Sequence, residues 1–185
     1  MQHTNWGDLS PELQAMVLDP LPQTWARVAA NACTSMRRGR ASGNCTVSVK
    51  ELIRSGVPAI AWAVDKGCPL AAWLTDIAAA EGRLDVLEWL RDNNCPWGAG
   101  AFGAAARGGH LNVVIWLREN GCPWDRKTCS NAAGGGHLEV LKWLKENGCE
   151  WDAMTCSCAA SGGHLAVLQW ARQHGCPWGA ATCSN

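Results

Sequence analysis

The chain has 185 residues, and 48% of them are hydrophobic, which is ample apolar material for a folded core. Its 16 basic residues balance its 16 acidic residues, so no global field draws the chain to nucleic acid or to an anionic membrane. The first residues lack a secretory signal, and no apolar run approaches the ~18 residues of a membrane span. We therefore expect an intracellular, cytoplasmic protein that has neither nucleic acid nor membrane as a partner.

Residues 1–42 predict a small helical segment that lies outside the repeated part of the sequence. Ser10 and Pro11 suit the N-cap and the first position of a helix. Apolar residues continue at helical spacing to Leu21, and a second helix is expected from about Thr24 to Met36. A basic, glycine-containing linker follows.

The sequence from residue 47 onward repeats with a period of 27 residues. Its clearest marker is one tryptophan in each unit, at Trp62, Trp89, Trp116, Trp143 and Trp170. Self-similarity at one fixed period indicates a repeat array, in which each unit buries its apolar face only by stacking on its neighbours. The array 47–185 divides into units 47–73, 74–100, 101–127, 128–154 and 155–181, with a remnant at 182–185.

Unit 128–154 predicts two short helices joined by a tight turn. Thr128 suits the N-cap of the first helix, and Gly134–Gly136 end it, because glycine adopts left-handed conformations readily. A second helix with a wide apolar stripe is expected from about His137 to Asn147. Gly148 then occupies the position that follows a helix end. The predicted fold is an all-α, helix-turn-helix solenoid.

Residues 132–148 resemble the ankyrin repeat at its most recognisable stretch, and the Gly-His-Leu steps at His110, His137 and His164 share that resemblance. The resemblance implies antiparallel helix pairs that stack, with loops projecting to one side. The period is about six residues shorter than the usual ~33. With its Cys-Pro-Trp loops, the array is similar to short-loop ankyrin proteins of giant viruses and some protists. A viral origin would imply work in the host cytoplasm or nucleus.

The N-terminal segment resembles the start of an F-box, a helical module that docks on a Skp1-type adaptor of a cullin ubiquitin ligase. The residues that carry the resemblance, and that it implies as adaptor-binding, are Leu9, Pro11, Leu13, Val17, Leu18 and Leu21. The alternative is a plain N-terminal cap, which solenoids also need.

Catalytic and metal-binding motifs are not found in the sequence. The 11 cysteines lie mostly one repeat apart, beyond the reach of a disulfide, so they are predicted to be packing residues. The histidines at the helix starts are likewise one repeat apart, and we expect them to bond to the neighbouring turn rather than to a metal. The loop tryptophans Trp97, Trp124, Trp151 and Trp178 are expected to pack between successive loops. We expect no catalytic residues, no metal and no cofactor.

A solenoid offers an extended surface rather than a reaction pocket, so the predicted function is non-catalytic protein–protein interaction. By the resemblance, a partner contacts the loops and first helices at positions where the repeats differ. These candidate positions are Trp73, Arg107, Asp125, Arg126, Lys127, Ser130, Asn131, Asp152, Ala153, Met154, Ser157 and Ser161. With an F-box the chain would be a substrate receptor of an SCF-type ubiquitin ligase. The alternative is a structural fragment of a repeat array with no dedicated partner, since the sequence stops inside a repeat.

Overall fold

The computed structural model describes residues 44–65 and 68–177, and for residues 44–48 it describes the backbone alone. Several predictions lie outside these residues: the helical segment 1–42, the remnant 182–185, Trp178 and the adaptor-binding set of Leu9, Pro11, Leu13, Val17, Leu18 and Leu21. The chain divides into two compact units, Met1–Pro69 and Leu70–Asn185. The described residues form ten helices and no strand, as the sequence predicts.

The described part of the first unit is a pair of helices, α1 (Asn44–Ser55) and α2 (Val57–Asp65). Gly56 joins them with φ 96°, a left-handed conformation that favours glycine. The two helices pack through buried aliphatic side chains, of which Ile53 and Ile60 are among the largest. This hairpin therefore has an apolar interface of its own.

The described part of the second unit consists of four helix pairs. The first helices are α3 (Ala72–Ala80), α5 (Ala99–Gly108), α7 (Lys127–Gly135) and α9 (Ala153–Ser161). The second helices are α4 (Leu84–Asp92), α6 (Leu111–Glu119), α8 (Leu138–Glu146) and α10 (Leu165–Gln173). Each second helix begins 27 residues after the previous one. None of the described helices is long and apolar enough to cross a membrane.

The repeats stack mainly through their first helices, since α3, α5, α7 and α9 each pack against the next. The first helices bury a column of alanines at one helical register, namely Ala78, Ala105, Ala132 and Ala159, all with 0% exposure. A methyl side chain lets two helix backbones approach closely without leaving a void. The second helices add buried valine and leucine side chains beneath this contact. The core is therefore a continuous layer shared between neighbouring repeats.

The ends of the first helices agree with the prediction at the glycines and differ from it at Thr128. Gly109 and Gly136 end α5 and α7 with φ 76° and 79°. Helix α7, however, begins at Lys127, so Thr128 lies inside its first turn, where its hydroxyl oxygen accepts from the backbone N–H of Asp125 (3.4 Å). The prediction of Thr128 as N-cap is therefore wrong. In α9 the cap is Asp152, whose carboxylate accepts from the backbone N–H of Met154.

The described loop tryptophans, Trp97, Trp124 and Trp151, pack on the second helix of the following repeat, whereas the sequence predicts packing between successive loops. Trp97 meets Trp116 edge to face, with ring centroids 5.7 Å apart, and Trp151 meets Trp170 at the same distance. A cation from the preceding helix covers each loop ring: Arg91 over Trp97, Arg118 over Trp124 and Lys145 over Trp151. The reason is geometric, because the loop folds back beside the helix stack.

The cysteines that open each loop are buried, as predicted, and none of the eight described cysteines forms a disulfide. Their thiols donate to backbone carbonyl groups 24 residues earlier, as Cys95 does to Ala71 (3.5 Å) and Cys122 to Gly98 (3.4 Å). Each such thiol fixes the loop to the backbone at the start of the first helix in the same helix pair.

Candidate functional site

A groove lies on the outer face of the first helices, between α7 and α9, with the end of α5 beside it. Its volume is about 340 Å³. It is lined by Arg107, Ser130, Asn131, Gly134, Met154, Ser157, Cys158, Ser161 and Gly162. Six of these are predicted partner-binding residues: Arg107, Ser130, Asn131, Met154, Ser157 and Ser161. The structure therefore brings half of the predicted set into one place.

The groove exists because matching positions of successive first helices face the same way. Arg107, Gly134 and Ser161 occupy one register of the repeat, and Ser130 and Ser157 occupy another. The opposite face of each first helix carries the buried alanines that make the stack. Since side chains three and four residues apart share a helix face, the framework fixes which positions reach this surface.

Small residues form the floor of the groove. Ser130 is only 6% exposed, and its hydroxyl donates to the carbonyl of Lys127 (2.9 Å). The hydroxyl of Ser157 donates in the same way to the carbonyl of Ala153 (3.0 Å). Because the hydroxyl proton of Ser130 is used within its own helix, the lone pairs of its oxygen remain as acceptors for a bound molecule.

Asn131 spans the gap between two helices. A Cβ atom added at Gly103 of α5 would lie 2.6 Å from the Asn131 Nδ2 atom, so the amide of Asn131 rests directly on this glycine. The close approach needs a residue without a side chain at position 103. It leaves an amide, which carries both a donor and an acceptor, at the edge of the groove.

Arg107 and Met154 are the two long exposed side chains of the groove. Met154 is 58% exposed, and it is one of two large hydrophobic residues that the described chain leaves this open. Arg107 is exposed at the last turn of α5. The groove thus offers a cation and an apolar, adaptable thioether.

The other predicted residues lie outside the groove. They are Trp73, Asp125, Arg126, Lys127, Asp152 and Ala153. Asp152 is engaged in capping α9. Arg126 and Lys127 are exposed, and Lys127 has on α7 the register that Met154 has on α9. Trp73 is half-buried on α3, which is the first helix two repeats before α7.

Sequence reasoning missed three residues of the groove, namely Gly134, Cys158 and Gly162. The signal was available in the register, because Gly134 aligns with Ser161, and Cys158 with Asn131. Glycine had been assigned to the turn and cysteine to packing, and neither role excludes a place on the floor of a groove.

The electrostatics of this face differ between its two ends. At α3, burial raises the pKa of Asp76, whose carboxylate lies against Gly100 of α5. At the groove itself, Arg107 carries the formal charge. Among the described residues no cluster of histidine, cysteine and carboxylate side chains has the arrangement of a metal site.

Two stretches of the chain, residues 74–118 and 129–172, match the family model described as ankyrin repeats, many copies. These stretches are similar to ankyrin repeats. They contain His110, His137 and His164 and all nine residues that line the groove. The described part of the second unit is a helical-repeat solenoid similar to ankyrin repeats, in agreement with the fold that the sequence predicts. The search among curated proteins found no match.

Solved structures similar to the chain include the pentatricopeptide repeat protein PPR10 in complex with an 18-nt psaJ RNA element, at 18% identity and a TM-score of 0.40. The comparison covers 92% of this chain and 30% of that chain. A second is the pentatricopeptide repeat protein PPR10 from maize, at 20% identity and a TM-score of 0.32, covering 95% and 30%. The chain thus spans under a third of these proteins, and likeness at this level gives no basis for inferring a ligand.

Proposed function

We propose that the protein is a non-catalytic binding protein whose ankyrin repeats hold a protein partner in the groove between α7 and α9. The observation that carries this proposal is that six of the positions at which the repeats differ line one groove. Ankyrin repeats serve in general as protein-interaction modules, so a partner on the first-helix face fits the family.

Each repeat has one set of residues that builds the stack and another set that faces the groove, and this separation supports the proposal. The alanine column, the turn glycines and the loop cysteines are committed to the stack, where a change would disturb two repeats at once. Groove residues such as Ser161 and Met154 are exposed and bear no part of that framework. A fold that repeats its core while varying one outer face is suited to recognition.

The groove is tested by filling it. We would replace Ser161 with tryptophan, because its exposed position allows a large side chain without disturbing the core. Gln169→Trp is the matched control, since Gln169 is also exposed but lies on the second helix α10. Proteins captured from a cell extract by the wild type are quantified by mass spectrometry. The proposal expects one partner that the control retains and Ser161→Trp loses. Equal capture by all three proteins would contradict it.

We further propose that the protein serves as a substrate receptor of an SCF-type ubiquitin ligase. The support is the resemblance of residues 9–37 to an F-box, together with an ankyrin array that can select a substrate. The double variant Leu13→Asp/Leu21→Asp in the full chain would remove the apolar contact that such a module needs. Binding to the purified adaptor should be present for the wild type and absent for the variant. A wild type that fails to bind the adaptor would reduce residues 1–42 to a cap.

The rival function is a passive stacking unit without a dedicated partner. One observation favours it: Leu165, at the start of α10, is 64% exposed, whereas the equivalent Leu84, Leu111 and Leu138 are half-buried. An open apolar face of this kind favours self-association. Sedimentation velocity over a concentration series decides between the two. Self-association that Leu165→Lys abolishes would support the rival, and a monomer at all concentrations would oppose it.

A further inference from the structure

Some basic residues of the second unit form ion pairs or cation–π contacts within the fold, and others form neither. Arg83 pairs with Asp85, and Lys142 pairs with Glu139. Arg91, Arg118 and Lys145 lie over the loop tryptophans. Each of these cations is therefore held by a contact within the fold.

Arg107, Arg126 and Lys127 have no such contact among the described residues. No described carboxylate pairs with any of them, and none covers an aromatic ring. Arg107 lines the groove, and Lys127 begins α7 one turn before Ser130, which also lines it. All three are exposed. The cations that the fold leaves unused are thus found in and beside the groove.

The residues that line the groove include no carboxylate to balance Arg107. Outside the lining residues, Asp152 caps α9, Asp76 lies against Gly100 on the α3 side, and Asp125 is exposed in the loop before α7. An arginine presents a planar fork of donors that matches a carboxylate. The charge of the groove is therefore complementary to an acidic side chain.

The rest of the groove suits an extended protein segment beside that carboxylate. Met154 offers an exposed apolar surface that adapts to different side chains. The hydroxyl oxygen of Ser130 can accept a hydrogen bond, and the amide of Asn131 supplies a donor and an acceptor. An extended backbone needs both kinds of partner, because its own N–H and C=O groups are not paired within the segment.

We infer that the groove binds an extended protein segment that places a carboxylate against Arg107 and an apolar side chain against Met154. This inference rests on the proposed function and names the chemistry of the partner. Attraction to the unused cations selects acidic segments, and the methionine sets the spacing to the apolar residue.

The test is selection from a random ten-residue peptide library displayed on phage, with the full chain as bait. The same selection is run with Arg107→Glu and with Lys142→Glu. The second variant is the matched control, because it makes the same charge change at a surface pair on α8, away from the groove. Selected peptides are then synthesised, and their dissociation constants are measured by fluorescence anisotropy.

We expect the wild type and the control to select peptides in which Asp or Glu lies near a large apolar residue. Arg107→Glu should raise the dissociation constants of those peptides by about tenfold or more, because the new carboxylate repels the acidic side chain of the peptide. Met154→Ala should also raise the dissociation constants, and this loss of affinity should depend less on ionic strength, because it removes an apolar contact. Higher ionic strength should weaken binding to the wild type, since exposed charges are screened.

Selected peptides that lack acidic residues, or that bind Arg107→Glu as well as they bind the wild type, would overturn the inference. So would the absence of any selected peptide. Displacement of the bound peptide by a single-stranded RNA oligonucleotide at matched ionic strength would also overturn it, because the groove would then be an RNA site. If Ser161→Trp still loses a captured protein while Arg107→Glu retains it, the proposed function stands and only the acidic specificity fails.

Discussion

His110 Nε2 lies 2.9 Å from the backbone carbonyl oxygen of Ala80, 30 residues earlier in the chain. His164 makes the equivalent contact with Gly134 at 3.1 Å. Each imidazole thus ties the start of a second helix to the end of the first helix in the preceding repeat. A Cβ atom added at Gly82 would lie 2.5 Å from the His110 ring, so the ring also fills the space above the glycine turn. The stack is held at this point by a polar contact as well as by apolar burial.

Replacing His110 with alanine should destabilise the second unit. The change leaves the Ala80 carbonyl without its partner and opens a void over the Gly82 turn, so we expect a loss of about 1–3 kcal/mol in the free energy of unfolding. Urea denaturation followed by tryptophan fluorescence measures it. Asn112→Ala, an exposed change on the same helix, serves as control and should cost far less. Equal effects of the two changes would refute the role given to the imidazole.

Alanine substitutions at Gly109 and Gly121 should separate two causes of destabilisation, namely an unfavourable backbone conformation and steric overlap with a neighbouring side chain. Both adopt left-handed conformations, with φ 76° and 73°. A methyl group at Gly109 would overlap the His137 ring, whereas one at Gly121 would meet nothing within 4 Å. Gly121→Ala should therefore lower the free energy of unfolding by about 1–2 kcal/mol, through the left-handed backbone conformation alone. Gly109→Ala should cost roughly 1–3 kcal/mol more, because the histidine must move.

Thermal unfolding of the two variants tests this difference. The account requires a lower melting temperature for Gly109→Ala than for Gly121→Ala. Identical melting temperatures would show that the histidine turn tolerates a side chain, and the contact between repeats would lose its importance.

Two of the buried loop thiols, those of Cys95 and Cys122, should make the free energy of unfolding depend on pH in the alkaline range. Burial raises the pKa of Cys95 and of Cys122 from 9.0 to about 11. The folded state therefore keeps these protons between pH 9 and 11, while the unfolded state releases them. Because the folded state binds more protons there, the free energy of unfolding should fall as pH rises through this window. Below the unfolded value both states are protonated, and the thiols have no effect.

Urea titrations at pH 7.5, 9 and 10.5 check this expectation. The sequence contains no tyrosine, so no phenol titrates in the same range. The double variant Cys95→Ala/Cys122→Ala should show a smaller decline over the window than the wild type. A decline of the same size in both proteins would assign it to other groups.

Arg118 should stabilise the loop through Trp124, whose ring centroid lies 4.0 Å from the guanidinium carbon. Arg118→Met keeps much of the aliphatic stem and removes the charge, so it should cost about 0.5–1 kcal/mol. In a Trp124→Leu background the same substitution should cost almost nothing. A double-mutant cycle in urea measures this coupling, and a coupling energy near zero would contradict the stacking contact.

The helix pairs and their turns could be predicted from the sequence because they follow from local rules. The second helix of unit 128–154 is expected at about His137 to Asn147, and the structure has it at Leu138–Glu146. The left-handed Gly136 follows from the absence of a side chain. Contacts between repeats were harder to predict. The loop tryptophans could not be placed on the next helix, since that contact depends on how far each loop folds back.

Half of the predicted partner-binding residues line the groove, and the other half do not, because the groove depends on contacts between repeats. Variable positions such as Arg107 and Met154 can be read from the sequence, but their meeting in one groove depends on the stacking of three helices. Asp152 was assigned to partner binding because it varies, yet it caps α9. The Asn131 amide reaches position 103 only because that residue is glycine, a relation between repeats that one repeat cannot reveal.

The central claim, that a protein partner lies in the groove between α7 and α9, is tested most directly by position-specific photo-cross-linking. A photoreactive phenylalanine analogue is placed at Ser161 in the full chain, and in a second protein at Gln169 on α10. Irradiation in cells followed by mass spectrometry identifies covalent adducts. The account predicts a protein adduct at position 161 that is missing at position 169. Adducts at position 169 alone, or none at either position, would contradict it.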